Sequence, residues 1–379
     1  MRPIIKWPGG KTGELSQILP AVPEFDRYIE PFFGGGALYF ELEPEKAAIN
    51  DISEDLMDFY RLVQAGDREF YEQLHAYDDL FQALISACED ADLLLRGLFH
   101  MYLNDEASRK ELNGAAEVLT EGLWRQIENK FPDEWEEEED FLFWRLTETA
   151  VDKLVRTAVH YRKTPFTLED LRENLITGYA GGFYLWVRDR FNEMQNNKKT
   201  TSLAQRMAAF YWVREYCYGS MFRYNKKGEF NIPYGGMSYN RKDFNYKVET
   251  LFYEDTQKIL KNTLLCNEDF ESFLEKVKPT EKDFIFLDPP YDTDFSDYEG
   301  KAFGHEEQAR LAAWLEKTHA KFLLVIKNTP FIQELYGGKF FIHPFENQYA
   351  YNVRSRNERK VEHLLITNYE LPTEQMEMN

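Results

Sequence analysis

The sequence predicts an α/β fold in which a mostly parallel sheet carries packed helices and is interrupted by a large, mostly helical insertion. Short apolar runs that end in polar or acidic residues recur towards both ends of the chain, at residues 27–32, 47–51, 264–270, 284–288 and 322–326. Between them, residues 67–207 change to helical spacing, as in Phe70, Leu74, Tyr77 and Phe81. With 379 residues, 43% hydrophobic and 16% aromatic, the chain can bury more than one core. The expected organisation is a sheet domain in two parts, residues 1–66 and 251–379, with the helical insertion at 67–207 and a hairpin region at 208–250.

Composition narrows the function classes. The 45 basic and 66 acidic residues give a formal charge of −21, which argues against indiscriminate adhesion to polyanions but leaves room for a local basic groove. The acids cluster at residues 133–140, a run expected to be a solvated face or loop. Three widely spaced cysteines, Cys88, Cys217 and Cys266, support neither a disulfide framework nor a zinc site, and the histidines lack metal-ligand spacing, so no metal is expected. No run of about eighteen apolar residues occurs, and residues 1–6 lack the apolar stretch of a secretory signal, so the cytoplasm is expected.

The first element, Lys6-Trp7-Pro8-Gly9-Gly10-Lys11-Thr12, ends like a phosphate-binding loop, but the first required glycine falls at Ile5, which excludes that motif. A strand over 27–32 leads into Phe33-Gly34-Gly35-Gly36, whose glycines allow close backbone approach to a ligand before a helix near Ala37. A second strand over 47–51 ends at Asp51, the position from which α/β folds hold a ribose hydroxyl pair; the lesser alternative is that Asp51 merely caps the helix over 54–63. Within the insertion, Gly178 to Gly182 and residues 196–202 are read as loops.

Residues 221–236 have another character. Basic and amide side chains alternate with aromatics around Gly228, as in Arg223, Tyr224, Asn225, Lys226 and Phe230, a pattern suited to phosphate contact, base-edge reading and stacking, or to a plain surface hairpin. A strand over 264–266 then ends near Asp269 and Phe270. The strand over 284–287 delivers Asp288-Pro289-Pro290-Tyr291, a carboxylate, prolines without N–H donors and an aromatic ring, which together suit a planar amine or form a strand-end turn. Residues 292–303 are a candidate lid, 305–317 a helix, 322–326 a strand, and 361–367 the strand that closes the sheet. Arg354 and Arg356 stand in a basic loop suited to phosphate.

Taken in order, Lys6 to Lys11, the F-x-G-x-G of Phe32 to Gly36, Asn50-Asp51, the hairpin from Arg223 to Gly235, Asp288 to Tyr291, and Arg359 to Leu365 resemble the Dam-like (D12 class, alpha group) DNA adenine-N6 methyltransferases. The resemblance implies a Rossmann-like methyltransferase sheet whose insertion recognises DNA. It implies S-adenosylmethionine held by Trp7, Lys11, Phe32, Gly34, Gly36, Asp51, Asp269, Phe270 and Asp288, and catalysis by Asp288, Pro289, Pro290 and Tyr291 on an adenine flipped from double-stranded DNA. Tyr218, Arg223, Asn225, Lys226, Arg354 and Arg356 are then the candidate DNA contacts. A bacterial or phage-infected cytoplasm and a cognate restriction endonuclease are the implied setting and candidate partner. Two rivals remain at this point: methylation of cytosine N4, which uses the same amine logic, and a DNA- or partner-binding protein that kept the fold without turnover.

Overall fold

The computed structural model describes residues 1–196, 201–290, 297–298, 301–348 and 360–371. It divides into two compact units, one formed by Met1–Ala65 with Tyr253–Asn379 and the other by Gly66–Phe252.

The first unit is built on a seven-stranded sheet. Its strands are β1 (Arg27–Glu30), β2 (Ala47–Asn50), β3 (Thr263–Cys266), β4 (Asp283–Leu287), β5 (Lys321–Lys327), β6 (Phe341–Gln348) and β7 (Lys360–Thr367). In space they run β3-β2-β1-β4-β5-β7-β6, the first five parallel and the last two joined antiparallel. The chain starts at β1, builds outward to β2 and β3, then crosses back to β4 and β5, so the order reverses between β1 and β4. At such a switch point the loops leaving the carboxyl ends of neighbouring strands part in opposite directions and leave a crevice.

Side chains alternate across this sheet as the period of two requires. Ile29, Ile285, Leu287, Leu324 and Ile326 face one layer, where they pack with Phe270, Phe273 and Leu274 of the helix Phe270–Val277 and with Leu311 and Leu315 of the helix His305–Leu315. Tyr28 and Phe284 point to the other face, their rings 6.0 Å apart, and Tyr28 meets Tyr39 of the helix Ala37–Leu42. Each fully buried apolar side chain contributes roughly 1.5–3 kcal/mol, which is why the central strands read as unbroken apolar runs.

The sheet does not close on the strand expected to close it. β7 lies inside, and the edge is β6, whose Pro344 faces Leu364. An edge strand tolerates a proline because one row of its backbone groups needs no partner.

The second unit is helical, with long helices at Arg68–Asp90, Arg109–Ile127, Glu139–Tyr161, Leu168–Gln195 and Leu203–Tyr216. Gly178 to Gly182 form no loop: they lie inside the helix Leu168–Gln195. Their role is close approach. A Cβ on Gly182 would stand 2.9 Å from the Arg145 carbonyl oxygen and the Leu146 Cα, and one on Gly178 2.9 Å from the Ala150 Cα, so the glycines let the helix Glu139–Tyr161 pack backbone to backbone.

The acidic run is a solvated face, with Asp133, Glu134, Glu136, Glu137 and Asp140 exposed, but it is anchored at one point. Trp135 is fully buried at its centre, stacked on Tyr77 with centroids 4.7 Å apart, and the Arg190 guanidinium lies 4.5 Å from the Trp135 ring while pairing with Glu138 at 3.0 Å. One tryptophan thus folds the run onto the unit. Among the described residues no helix is long and apolar enough to cross a membrane.

Candidate active site

The carboxyl ends of β1, β2 and β4 bring together residues from distant parts of the sequence. Trp7-Pro8-Gly9-Gly10 forms a tight turn in which the Gly10 amide donates to the Trp7 carbonyl at 3.3 Å and Gly9 adopts φ +79°, the arrangement that Pro-Gly at the turn centre favours. A second turn, Phe33 to Gly36, leaves β1. It needs glycine at Gly34, which combines φ +52° with an approach so close that a Cβ would lie 2.9 Å from Cδ1 of the Trp7 indole. The two turns therefore pack on each other, with Trp7 against the second.

Lys11 follows the first turn and is buried. Its ammonium bonds both oxygens of Asp288, each at 2.6 Å, and the Gly9 carbonyl at 3.0 Å. Asp288 stands immediately beyond β4, at the switch point. Burial pushes its carboxyl above the usual aspartate range, and the Lys11 charge and hydrogen bond oppose that shift. Pro289 is buried, and the Pro290 carbonyl accepts 3.0 Å from the amide of the fully buried Gln308, which fixes the turn that carries Asp288.

On the other side of β1, Asp51 accepts from the Gly34 amide and the Ser53 amide, both at 2.9 Å. Burial raises its carboxyl while these backbone donors oppose the rise. Asp51 thus ties the glycine turn to the end of β2, and the residue immediately before the helix Glu54–Ala65 is Ser53, whose hydroxyl accepts from Leu56. Two carboxylate oxygens offer about four acceptor sites, so Asp51 keeps capacity for a ligand's hydroxyl pair. Asn50 braces the same rim: its side chain donates to the Pro31 and Glu268 carbonyls at 3.1 and 3.0 Å and accepts from the Glu268 amide at 2.9 Å.

Phe32 is half-buried and packs on Phe270 and Phe303, with centroids 5.5 and 5.4 Å apart. Asp269 caps the helix Phe270–Val277 through the Glu271 amide and pairs with Arg310, whose guanidinium lies 4.5 Å from the Phe270 ring. Phe270 itself is core, only 3% exposed, so its ring is a wall under the rim rather than an open platform. Tyr291, Arg354 and Arg356 lie outside the described residues, as does most of the candidate lid. Two short stretches of that lid, Asp297–Tyr298 and Lys301–Ala302, pair antiparallel.

Sequence reading missed three buried groups here. Glu30, at the end of β1, accepts 2.8 Å from the Tyr28 hydroxyl, and burial raises its carboxyl well above the usual range. Glu14 and His363, buried and 3.1 Å apart, sit beside Lys11 and Asp288. An acid ending the strand before the glycine turn could have flagged Glu30. No local signal joins residues 349 positions apart in the chain.

The hairpin belongs to the helical unit. Tyr224 and Phe230 face each other across it, and Gly228 has φ +75°. The Asn225 side chain is committed to the turn: its oxygen accepts from the Lys227 and Glu229 amides at 2.8 and 3.1 Å, and its amide donates to Glu229. Arg223, Lys226, Lys227 and Tyr218 are exposed, and Arg223 donates to Asn231 at 2.9 Å. The arrangement presents cations around a rigid turn.

Comparison with known proteins gives a consistent picture. A family model described as "D12 class N6 adenine-specific DNA methyltransferase" matches residues 7–351. The chain is 27% identical over 376 residues to the type II methyltransferase M.CviBI of Paramecium bursaria Chlorella virus NC1A, covering 97% of this chain and all of that one. It is 29% identical to the type II methyltransferase M.MjaIII of Methanocaldococcus jannaschii, over 89% of each chain. It is 32% identical to the retron Ec67 DNA adenine methylase of Escherichia coli, over 89% of this chain and 81% of that one.

Proposed function

Because the chain belongs to the D12 class of N6 adenine-specific DNA methyltransferases, we propose that it moves a methyl group from S-adenosylmethionine to N6 of an adenine flipped out of double-stranded DNA, with Asp288 as the central acceptor. The observation that carries this reading is the placement of a half-buried carboxylate, ion-paired to the buried Lys11, on a proline-locked turn at the switch point of the sheet.

The cofactor supplies an electrophilic methyl on a positively charged sulfur. The residues fit such a group: Asp51 offers acceptors to the ribose hydroxyls, the Gly34 to Gly36 turn allows close backbone approach, and Trp7, Phe32 and Phe270 supply apolar walls. Lys11 and Asp269 complete the proposed binding set.

At the base, Asp288 and the Pro289 carbonyl accept the two amino hydrogens, which turns the N6 lone pair out of conjugation with the ring and towards the methyl carbon. Bound at this site, the cofactor would supply the methyl carbon and leave as the neutral thioether, while the Asp288 carboxylate stabilises the positive charge developing on N6 and accepts one N6 proton, which it passes to solvent. Tyr291 stacks on the flipped base. Arg223, Lys226, Tyr218, Arg354 and Arg356 contact DNA, whereas Asn225 acts by shaping the turn that presents Lys226 and Lys227. Since two relatives are named type II methyltransferases, a cognate restriction endonuclease is the candidate partner.

The test is direct. Purified protein is incubated with labelled S-adenosylmethionine and a mixed-sequence duplex, and the digested DNA is analysed by mass spectrometry. N6-methyladenine is the expected product; N4-methylcytosine, or cofactor binding with no product, would overturn the assignment.

A further inference from the structure

The Lys11–Asp288 pair continues into two further buried groups. One helical turn beyond Lys11, the Glu14 amide donates to the Lys11 carbonyl at 2.9 Å, which sets the two side chains on one short segment. The Glu14 carboxylate lies 3.1 Å from Nδ1 of His363, and both side chains are buried, at 8% and 0% exposure. His363 is held by sheet register: it faces Lys327 on β5 and Phe345 on β6. Leu287 of β4 is registered with Leu324, three residues before Lys327, so His363 sits near the level of the Pro289-Pro290 turn and two strands across, about 10 Å at ordinary strand spacing. The order is carboxylate, ammonium, carboxylate, imidazole, from Asp288 through Lys11 and Glu14 to His363.

We propose that Glu14 and His363 are positioning residues for methyl transfer: the pair anchors the segment that carries Lys11 onto the sheet and thereby sets the orientation and charge of the Asp288 carboxylate. The inference rests on the reading of Asp288 as the amine acceptor. Two arguments support it. The contact is a buried polar link between the Lys11 segment and β7, and a buried carboxylate facing an imidazole is costly unless the partners hold each other in place. Both groups act on Asp288 through space in opposite senses, Glu14 raising its carboxyl and His363 lowering it.

Among the described residues, the charged groups placed near His363 are Glu14 of the N-terminal segment, Asp288 at the end of β4 and Lys327, its cross-strand neighbour on β5. Replacing Glu14 removes a group that raises the Asp288 carboxyl; replacing His363 removes one that lowers it. The acid limb of the rate profile, which reports protonation of the acceptor, should therefore move in opposite directions.

The experiment uses the full-length protein with Glu14→Gln, His363→Gln and the double variant, in single-turnover methylation of a duplex from pH 5 to 9, with thermal melting measured alongside. The expected result is a roughly tenfold fall in the transfer rate in each single variant, KM values for cofactor and DNA within about threefold of the original, and an acid limb shifted down for Glu14→Gln and up for His363→Gln. The double variant should lose little beyond either single one, because both act through the same carboxylate. Acid limbs that stay in place, or that move together in step with melting temperature, would overturn the proposal. If His363→Gln does not fold, the downward limb of Glu14→Gln decides alone. Absence of adenine methylation by the unsubstituted protein would instead defeat the functional reading itself.

Discussion

Lys11→Met offers the sharpest test of the electrostatics at the switch point. The Lys11 side chain is 5% exposed and that of Asp288 18%, and the ammonium bonds both carboxylate oxygens at 2.6 Å. Removing one partner of a buried pair typically costs about 3–5 kcal/mol, because the other charge is left in a poorly solvating site. The residual exposure of Asp288 and its ability to take up a proton place the expected cost near the lower end, about 3 kcal/mol at pH 8. The double variant Lys11→Met with Asp288→Asn leaves no charge behind and should lie within about 1 kcal/mol of the original.

The pH dependence has a definite sign. In Lys11→Met the Asp288 carboxyl is raised by burial without its counterion, so folding takes up a proton between the unfolded value and the raised folded one, and stability falls as pH rises across that window. The deficit should be largest above the raised value and vanish below about pH 4, where the group is protonated in both states. Hydrogen exchange read on peptides covering β1 and β4 isolates the sheet unit from the helical one. About 3 kcal/mol corresponds to exchange roughly a hundredfold faster at pH 8, with the ratio to the original narrowing at pH 5. Exchange within threefold of the original at pH 8, or a double variant as unstable as the single one, would refute the reasoning.

Three further changes probe separate parts of the molecule. Asp51→Asn should weaken cofactor binding by about tenfold in calorimetry, through loss of a charged acceptor; an unchanged affinity would remove Asp51 from the site. Arg223→Ala should weaken duplex binding and lower the slope of log affinity against log salt by about one, leaving cofactor affinity alone, and an unaltered slope would remove this exposed residue from the DNA contacts. Gly182→Ala forces a Cβ to within 2.9 Å of the neighbouring helix backbone and should destabilise the helical unit by about 1–3 kcal/mol, whereas Gly122→Ala, with open space around it, should be neutral or stabilising by up to about 1 kcal/mol. A melt in which both alanines stabilise would contradict the close-packing explanation.

The parallel strands were legible because each is a short run rich in apolar residues and stopped by an acid, amide or proline, buried on both faces in β2 and β4 and half-exposed in the edge strand β3. Local chemistry sufficed for that. β6 was not legible: Phe341-Ile342-His343-Pro344 carries a proline, which argues against a strand unless the strand is known to lie at an edge, and edge position is a property of the whole sheet. Gly178 to Gly182 read as a loop for a similar reason. Glycine weakens an isolated helix by about 1 kcal/mol, and only the backbone of the helix packed against it reverses the preference. Within the acidic run, the burial of Trp135 depends on Tyr77 and Arg190, both far away in sequence.

The same division runs through the site. Asp288, Asp51 and the glycine turn announce themselves by position after strands, whereas Lys11 was readable as a motif residue but not as the partner of a carboxylate 277 positions away. Glu14 carries no motif, and His363, although inside the Arg359 to Leu365 match, gives no sign of its partner; the two meet through the fold alone.

The central claim, that the Asp288 carboxylate accepts the amine that receives the methyl group, is tested most directly by Asp288→Ala in single-turnover methylation of a duplex, with cofactor and DNA binding measured on the same preparation. The account predicts that DNA still binds, that cofactor binding weakens by no more than about tenfold, and that N6-methyladenine forms at least about a hundredfold more slowly at saturating cofactor. Turnover within a few-fold of the original, with binding intact, would contradict it.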